Sequence, residues 1–132
     1  MPGINLTVSG QADAALTKRL VTTVMELTGS LLDKEAERTL MMVRYHPHAD
    51  WFIAGQSLLE LGQNSFRLEV TITDETNTKQ QKAAFQKAAY AALAELIGNV
   101  HAHSNIHLLD VRATAYSYGG ITLEQYFQDA QR

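Results

Sequence analysis

Pro2-Gly3-Ile4-Asn5-Leu6-Thr7-Val8 alternates apolar and polar residues from the second position of the chain onward. A period of two marks a half-buried strand, so a strand starts directly behind Met1. If Met1 is removed, proline becomes the amino terminus. An internal proline has no basic nitrogen, but a terminal one is a secondary amine that takes a proton or attacks a carbonyl. Leading straight into a sheet, that amine is held with the positional accuracy that catalysis needs, where a free terminus is mobile. Met-Pro starts also simply permit methionine removal, and that plainer reading stands beside the catalytic one.

Outward from this strand, Ser9 and Gly10 turn the chain and Asp13 caps a helix expected to run to about Thr28, with Gly29 closing it. Leu16, Leu20, Val24 and Leu27 recur at helical spacing and give that helix one apolar face. Thr39 to His46 reads as a second strand, ended by Pro47. The same order then returns. Ser65 to Ile72 alternates strictly, Asn77 or Thr78 opens an alanine-rich helix to Ile97, Gly98 and Asn99 stop it, and Asn105 to Ala113 supplies a fourth strand.

The chain therefore reads as α/β (α+β), with two tandem βαβ units. The expected division is one domain over 1–132, with a first repeat at 2–46, a connecting loop at 47–64, a second repeat at 65–113 and a C-terminal segment at 114–132. Leu6-Thr7-Val8 answers Val70-Thr71-Ile72, and Met41-Met42-Val43-Arg44 answers Leu108 to Arg112 with one residue's slip. Each Val-Arg is followed by aromatics and small residues, Trp51-Phe52 with Gly55 and Tyr116-Tyr118 with Gly119-Gly120. Such an echo is what gene duplication leaves behind.

Composition narrows the function. The 132 residues are 45% hydrophobic and 19% charged, which suits one globular core, and no apolar run approaches the roughly 18 residues of a membrane span. No export signal precedes the first strand, so a cytoplasmic setting is expected. Zero cysteines exclude disulfides, thiol catalysis and zinc-thiolate sites. A net charge of −3 with scattered basic residues argues against a nucleic-acid partner. His46-Pro47-His48 and His101-Ala102-His103 lack a third ligand at fixed spacing, so no metal is expected. Neither a glycine-rich phosphate loop nor a nucleophile elbow is present, and no cofactor is expected.

Met-Pro-x-Ile, a strand and a duplicated βαβ unit in a chain of this length together resemble the tautomerase superfamily, most closely its doubled-subunit members. The resemblance implies a four-stranded mixed sheet with two helices on one face, a homotrimer, and a pocket near each Pro2. It also implies a cofactor-independent tautomerase or isomerase that moves a proton on a small 2-oxo acid or its enol, with Pro2 as general base, or a related decarboxylase or dehalogenase. Gln11, and Met41 or a neighbour, stand near the points where 4-oxalocrotonate tautomerase carries substrate-binding arginines. A base acting near neutral pH must be largely unprotonated. An α-amino group titrates near 8, and an apolar pocket and a nearby guanidinium both push that value down.

Arg44, at the end of the second strand, offers a planar fork that takes a carboxylate in two parallel hydrogen bonds, or else pairs with an acidic neighbour. Arg112 is expected to hold the equivalent place in the second half, with Asp110 as the alternative structural partner. Arg67 shares the polar face of its strand with Glu69 and Thr71, either binding substrate or lining a wet trimer interior. Phe52, with Trp51, is a candidate pocket wall, and both are equally at home in a subunit interface. Tyr116 could donate to a developing oxyanion, or belong with Tyr118 to an edge hairpin. His107 is a minor candidate proton donor. Two other functions remain open: a non-enzymatic trimeric interaction protein, and a ferredoxin-like ligand-binding module that pairs its strands in split fashion.

Overall fold

The computed structural model describes residues 2–130. Strand β1 (Gly3–Ser9) is followed by helix α1 (Ala14–Leu32), strand β2 (Leu40–His46), a hairpin of β3 (Phe52–Ile53) and β4 (Gln56–Ser57), and the short helix α2 (Leu58–Leu61). Strand β5 (Phe66–Thr73), helix α3 (Lys79–Ile97) and strand β6 (Asn105–Val111) repeat the order. A second hairpin, β7 (Ser117–Tyr118) and β8 (Ile121–Thr122), then leads into helix α4 (Leu123–Ala130). None of the described helices is long and apolar enough to cross a membrane.

The four long strands form one mixed sheet in the order β2-β1-β5-β6, with β1 parallel to β2, β5 parallel to β6, and β1 antiparallel to β5 at the centre. Within each half the two strands are direct neighbours, so the split pairing of a ferredoxin-like module does not occur. Alternation along the central strands sends Ile4, Leu6 and Val8, and Phe66, Leu68, Val70 and Ile72, into one core with Leu20 and Val24 of α1 and Phe85, Ala89 and Leu93 of α3. Both long helices thus cover the same face. Each large apolar side chain removed from water there contributes about 1.5–3 kcal/mol, and a one-residue slip would turn the whole set outward.

Helix α1 continues past Gly29, where the sequence reading ends it. Leu32 is fully buried, and its burial outweighs the roughly 1 kcal/mol that a helical glycine costs. Asp33, in the left-handed conformation at φ 55°, closes the helix instead, and the Lys34 N–H donates to the Thr28 carbonyl at 3.3 Å. Helix α3 ends at Gly98 as its sequence indicates, and starts with a full capping box between Thr78 and Gln81. Strand β6 stops at Val111, two residues short of its expected end, because Arg112 starts a tight turn over Ala113–Ala115.

The duplication runs further than two βαβ units. Helices α1 and α3 both have 19 residues. Starts at 14 and 79, 40 and 105, 52 and 117, and 58 and 123 are all 65 residues apart. Between β1 and β5 the register gives an offset of 64, Gly3 pairing with Leu40 as Arg67 pairs with Asn105, and the turn after β5 has one extra residue. Even the closing hydrogen bonds correspond: Leu58 N–H to the Trp51 carbonyl at 2.9 Å, and Leu123 N–H to the Tyr116 carbonyl at 3.0 Å. Segment 47–64, expected as a connecting loop, and the C-terminal segment 114–132 both fold into a tight turn, a hairpin and a helix as far as residue 130.

Candidate functional site

Two ends of the sheet bring chemistry-bearing residues together. At the first, Pro2 is buried and its carbonyl accepts the Leu40 N–H at 3.1 Å. Gly3 pairs with Leu40 on one side and Thr71 on the other, so the start of β1 is held between two strands. A β-carbon added at Gly3 would lie 3.8 Å from the Tyr116 hydroxyl oxygen. Among the described residues that hydroxyl has no hydrogen-bond partner. Burial raises the Tyr116 pKa above its ordinary value, because the charged phenolate loses its solvation. Among the described residues Tyr116 therefore stands beside the Pro2-Gly3 link as a neutral hydroxyl able to donate.

The same edge of the sheet carries a cavity of about 200 Å³, lined in part by Lys34, Arg38, Thr73 and Phe127. Arg38 lies two residues before Leu40, and Thr73 two residues beyond Thr71, so register brings this cavity to the Pro2 edge. Thr73 is 3% exposed, and among the described residues its hydroxyl has no partner. Lys34 donates to the Thr76 hydroxyl at 2.9 Å, and burial lowers its pKa against the opposing charge of Asp33. Arg38 pairs with Glu35 at 3.3 Å and lies 5.9 Å from the centre of the Tyr126 ring. Helix α4 thus closes over two cations, the two carboxylates of Asp33 and Glu35, and a hydroxyl without a partner among the described residues. No motif in the sequence points to Lys34, Arg38 or Thr73, because α4 brings them together only in the folded chain.

The other end gathers most of the sequence-derived candidates. Thr7 pairs with Arg44 on β2 and with Arg67 on β5, and Arg67 pairs with Asn105. Thr7 is five residues along the strand from Pro2, about 17 Å at 3.3 Å per residue. Arg44, Arg67 and Phe52 therefore do not meet Pro2 within one chain. Trp51, Phe52, Phe66, Arg67, His103 and Asn105 wall a cavity of about 230 Å³ here. A neighbouring hollow of about 250 Å³ shares Trp51, Phe52 and Arg67 and adds His46 and Asp50.

His107 sits midway, in register with Glu69, which in turn pairs with Asn5. Arg112 lies exposed at the Pro2 end, just beyond β6. It is not the counterpart of Arg44. The 65-residue repeat sets Arg44 against Leu109 and Pro47 against Arg112, so the two Val-Arg pairs are out of step. Nor does Asp110 pair with Arg112, since its carboxylate takes the Lys82 ammonium at 2.6 Å.

The chain shares its fold with structural neighbours that are members of the tautomerase superfamily. Pt0534 inactivated by 2-oxo-3-pentynoate matches with a TM-score of 0.82 and 17% identity over 94% of this chain and 98% of that one. A symmetric trimer of fused 4-OT matches at 0.77 and 16% over 92% and 96%. The FG41 malonate semialdehyde decarboxylase inhibited by 3-bromopropiolate matches at 0.72 and 14% over 96% and 95%. No model of a known protein family matches the sequence, and no curated protein does.

Proposed function

We propose that the chain is a cofactor-independent tautomerase acting on a small 2-oxo acid or its enol, with the Pro2 amine, freed by loss of Met1, as the base. One observation carries this reading: a buried proline at the head of β1, anchored through Leu40, with the Tyr116 hydroxyl beside Gly3 and without a partner among the described residues. In the enol-to-keto direction the Pro2 nitrogen takes the enol O–H proton, the electrons move to carbon, and the ammonium returns the proton to that carbon. Tyr116 donates to the oxygen that carries charge in between, where a preorganised donor stabilises the transition state more than the ground state. Burial disfavours the protonated amine and keeps it basic near neutral pH.

For the substrate carboxylate, Arg38, Lys34 and Arg112 are the cations that the same chain brings to the Pro2 end, and Arg44 reaches that end only from a neighbouring subunit. A homotrimer agrees with the fused 4-OT neighbours, which form trimers. It also agrees with edge strand β2, where Leu40 and Met42 are 61% and 53% exposed. The inactivation of Pt0534 by 2-oxo-3-pentynoate, itself a 2-oxo acid, supports the substrate class.

The test is a panel of 2-oxo acids and enols in deuterated water, with NMR titration of the Pro2 nitrogen and intact mass. Turnover with deuterium at the α-carbon, a depressed amine pKa and a mass lacking Met1 are expected. Retained Met1, or a normal amine with no exchange on any substrate, overturns the reading. Release of carbon dioxide in the same panel would assign the chain to decarboxylation.

A further inference from the structure

The repeat that places Tyr116 beside Pro2 places Trp51 beside Phe66. On the 65-residue spacing Trp51 answers Tyr116, His103 answers Arg38 and Asn105 answers Leu40. On the 64-residue spacing of the central strands Phe66 answers Pro2 and Arg67 answers Gly3. The cavity at this end is thus the duplicate of the proline site, still open but with different walls. The Phe66 nitrogen is an internal amide and accepts no proton, so the duplicate has no base.

Its walls suit binding. Trp51 and Phe52 present two aromatic rings, which favour a flat apolar group. The Arg67 Nε donates to Glu69 at 3.2 Å with both side chains well exposed, a pairing that holds little in water. Among the described residues the terminal nitrogens of Arg67 have no partner, which leaves the fork for a bidentate carboxylate. Arg44 lies two strands away in the same row, about 10 Å across the sheet. One carboxylate, Asp50, stands in the adjoining hollow against Arg67 and His46. The two spaces together approach the volume of a small-molecule site.

We propose that the Phe66 end is a second, non-catalytic site that binds a small aryl carboxylate between the Trp51 and Phe52 rings and the Arg67 guanidinium. It rests on the repeat and the cavity, not on proline chemistry. Trp51 is the single tryptophan of the chain, so its indole N–H resonance reports on this site alone. The full chain, labelled with nitrogen-15, is titrated with phenylacetate and, as the neutral control, phenylacetamide.

A saturable shift of the Trp51 resonance with phenylacetate is expected, with phenylacetamide at least about tenfold weaker. Arg67→Met should weaken phenylacetate by a similar factor and Arg67→Lys by less, because a lysine keeps the charge and loses the fork. Pro2→Ala should leave the shift in place. No saturable shift, equal binding of the amide, or full affinity in Arg67→Met overturns the proposal. So does loss of the shift in Pro2→Ala, which would place Trp51 in a neighbouring chain's proline pocket. Failure of the tautomerase assay leaves every one of these outcomes unchanged, so the two readings fail separately.

Discussion

Pro2 and Phe66 occupy corresponding places in two copies of one backbone, and their surroundings have diverged in opposite directions. At the Pro2 end the open face of the sheet begins with Leu40, Gly3, Thr71 and Leu109 across the four strands, an almost uncharged row. At the Phe66 end the corresponding row is Arg44, Thr7, Arg67 and Asn105, with two guanidinium groups. The first end has a buried proline and a hydroxyl beside it, while the second has a fully buried phenylalanine packed 5.7 Å from the Tyr90 ring. Strand order, helix length and hairpin closure are common to both. The duplicated backbone therefore sets where a pocket forms, and the side chains at a few positions set what that pocket can do.

The hardest test of this contrast is to truncate both counterparts. Pro2→Ala keeps a terminal amine but changes its basicity and rigidity. On the best substrate, kcat should fall by about 10²–10⁴-fold, equivalent to roughly 3–5 kcal/mol, with the unfolding midpoint little changed. Phe66→Ala should instead cost about 3–5 kcal/mol of stability, since it leaves a cavity in the shared core. Chemical denaturation followed alongside turnover reads both. A Pro2→Ala variant of full activity, or a Phe66→Ala variant of full stability, would remove the functional asymmetry between the two ends.

Tyr116→Phe comes next in size. Removing one donor to a developing oxyanion typically costs about 10²-fold in kcat, and KM should move little if the hydroxyl acts mainly in the transition state. Burial raises the Tyr116 pKa above 10.0, so the hydroxyl stays protonated up to and beyond that point. The loss should therefore be constant between about pH 6 and pH 9, while activity of both proteins declines on the acid side as the Pro2 amine takes its proton. A loss confined to alkaline pH would mean that Tyr116 acts as a phenolate and not as a donor.

Much of this architecture is legible in the sequence for simple reasons. The alternation in β1 and β5 is strict because one face of each central strand is wholly buried, and the Thr78-Gln81 capping box and Gly98 mark α3 locally. Helix α1 misleads because tertiary burial of Leu32 overrides Gly29. The hairpin and helix pairs after β2 and β6 are short, and their strands span two residues each, too few to show a period. The site is harder to read. Pro2 declares itself by position, but register puts Arg44, Phe52 and Arg67 at the other end of the sheet from the Pro2 of the same chain. Lys34, Arg38 and Thr73 gain their meaning from α4, which lies some fifty or more residues further along the chain than Thr73 and about ninety beyond Lys34.

The smallest test concerns how each half fastens its helix to its outer strand. In the first half the Thr17 and Tyr45 hydroxyls meet at 2.8 Å, and at the corresponding positions of the second half Lys82 and Asp110 form an ion pair at 2.6 Å. Both link the first turn and a half of the helix to the same point on the strand, so the geometry is held while the chemistry changes. The ion-paired side chains are 27% and 32% exposed, and a pair so open to water is worth only about 0.2–1 kcal/mol. Lys82→Met should therefore cost no more than that at low salt and almost nothing at 1 M salt, where the screening length falls to about 3 Å. Tyr45→Phe, which also removes the bond to the Asp13 carbonyl at 3.2 Å, should cost about 0.5–1.5 kcal/mol at either salt concentration, because neutral hydroxyls are not screened. Denaturant unfolding of the two variants at both ionic strengths gives the answer. If the two losses respond to salt alike, the halves are fastened by the same force and this part of the contrast falls.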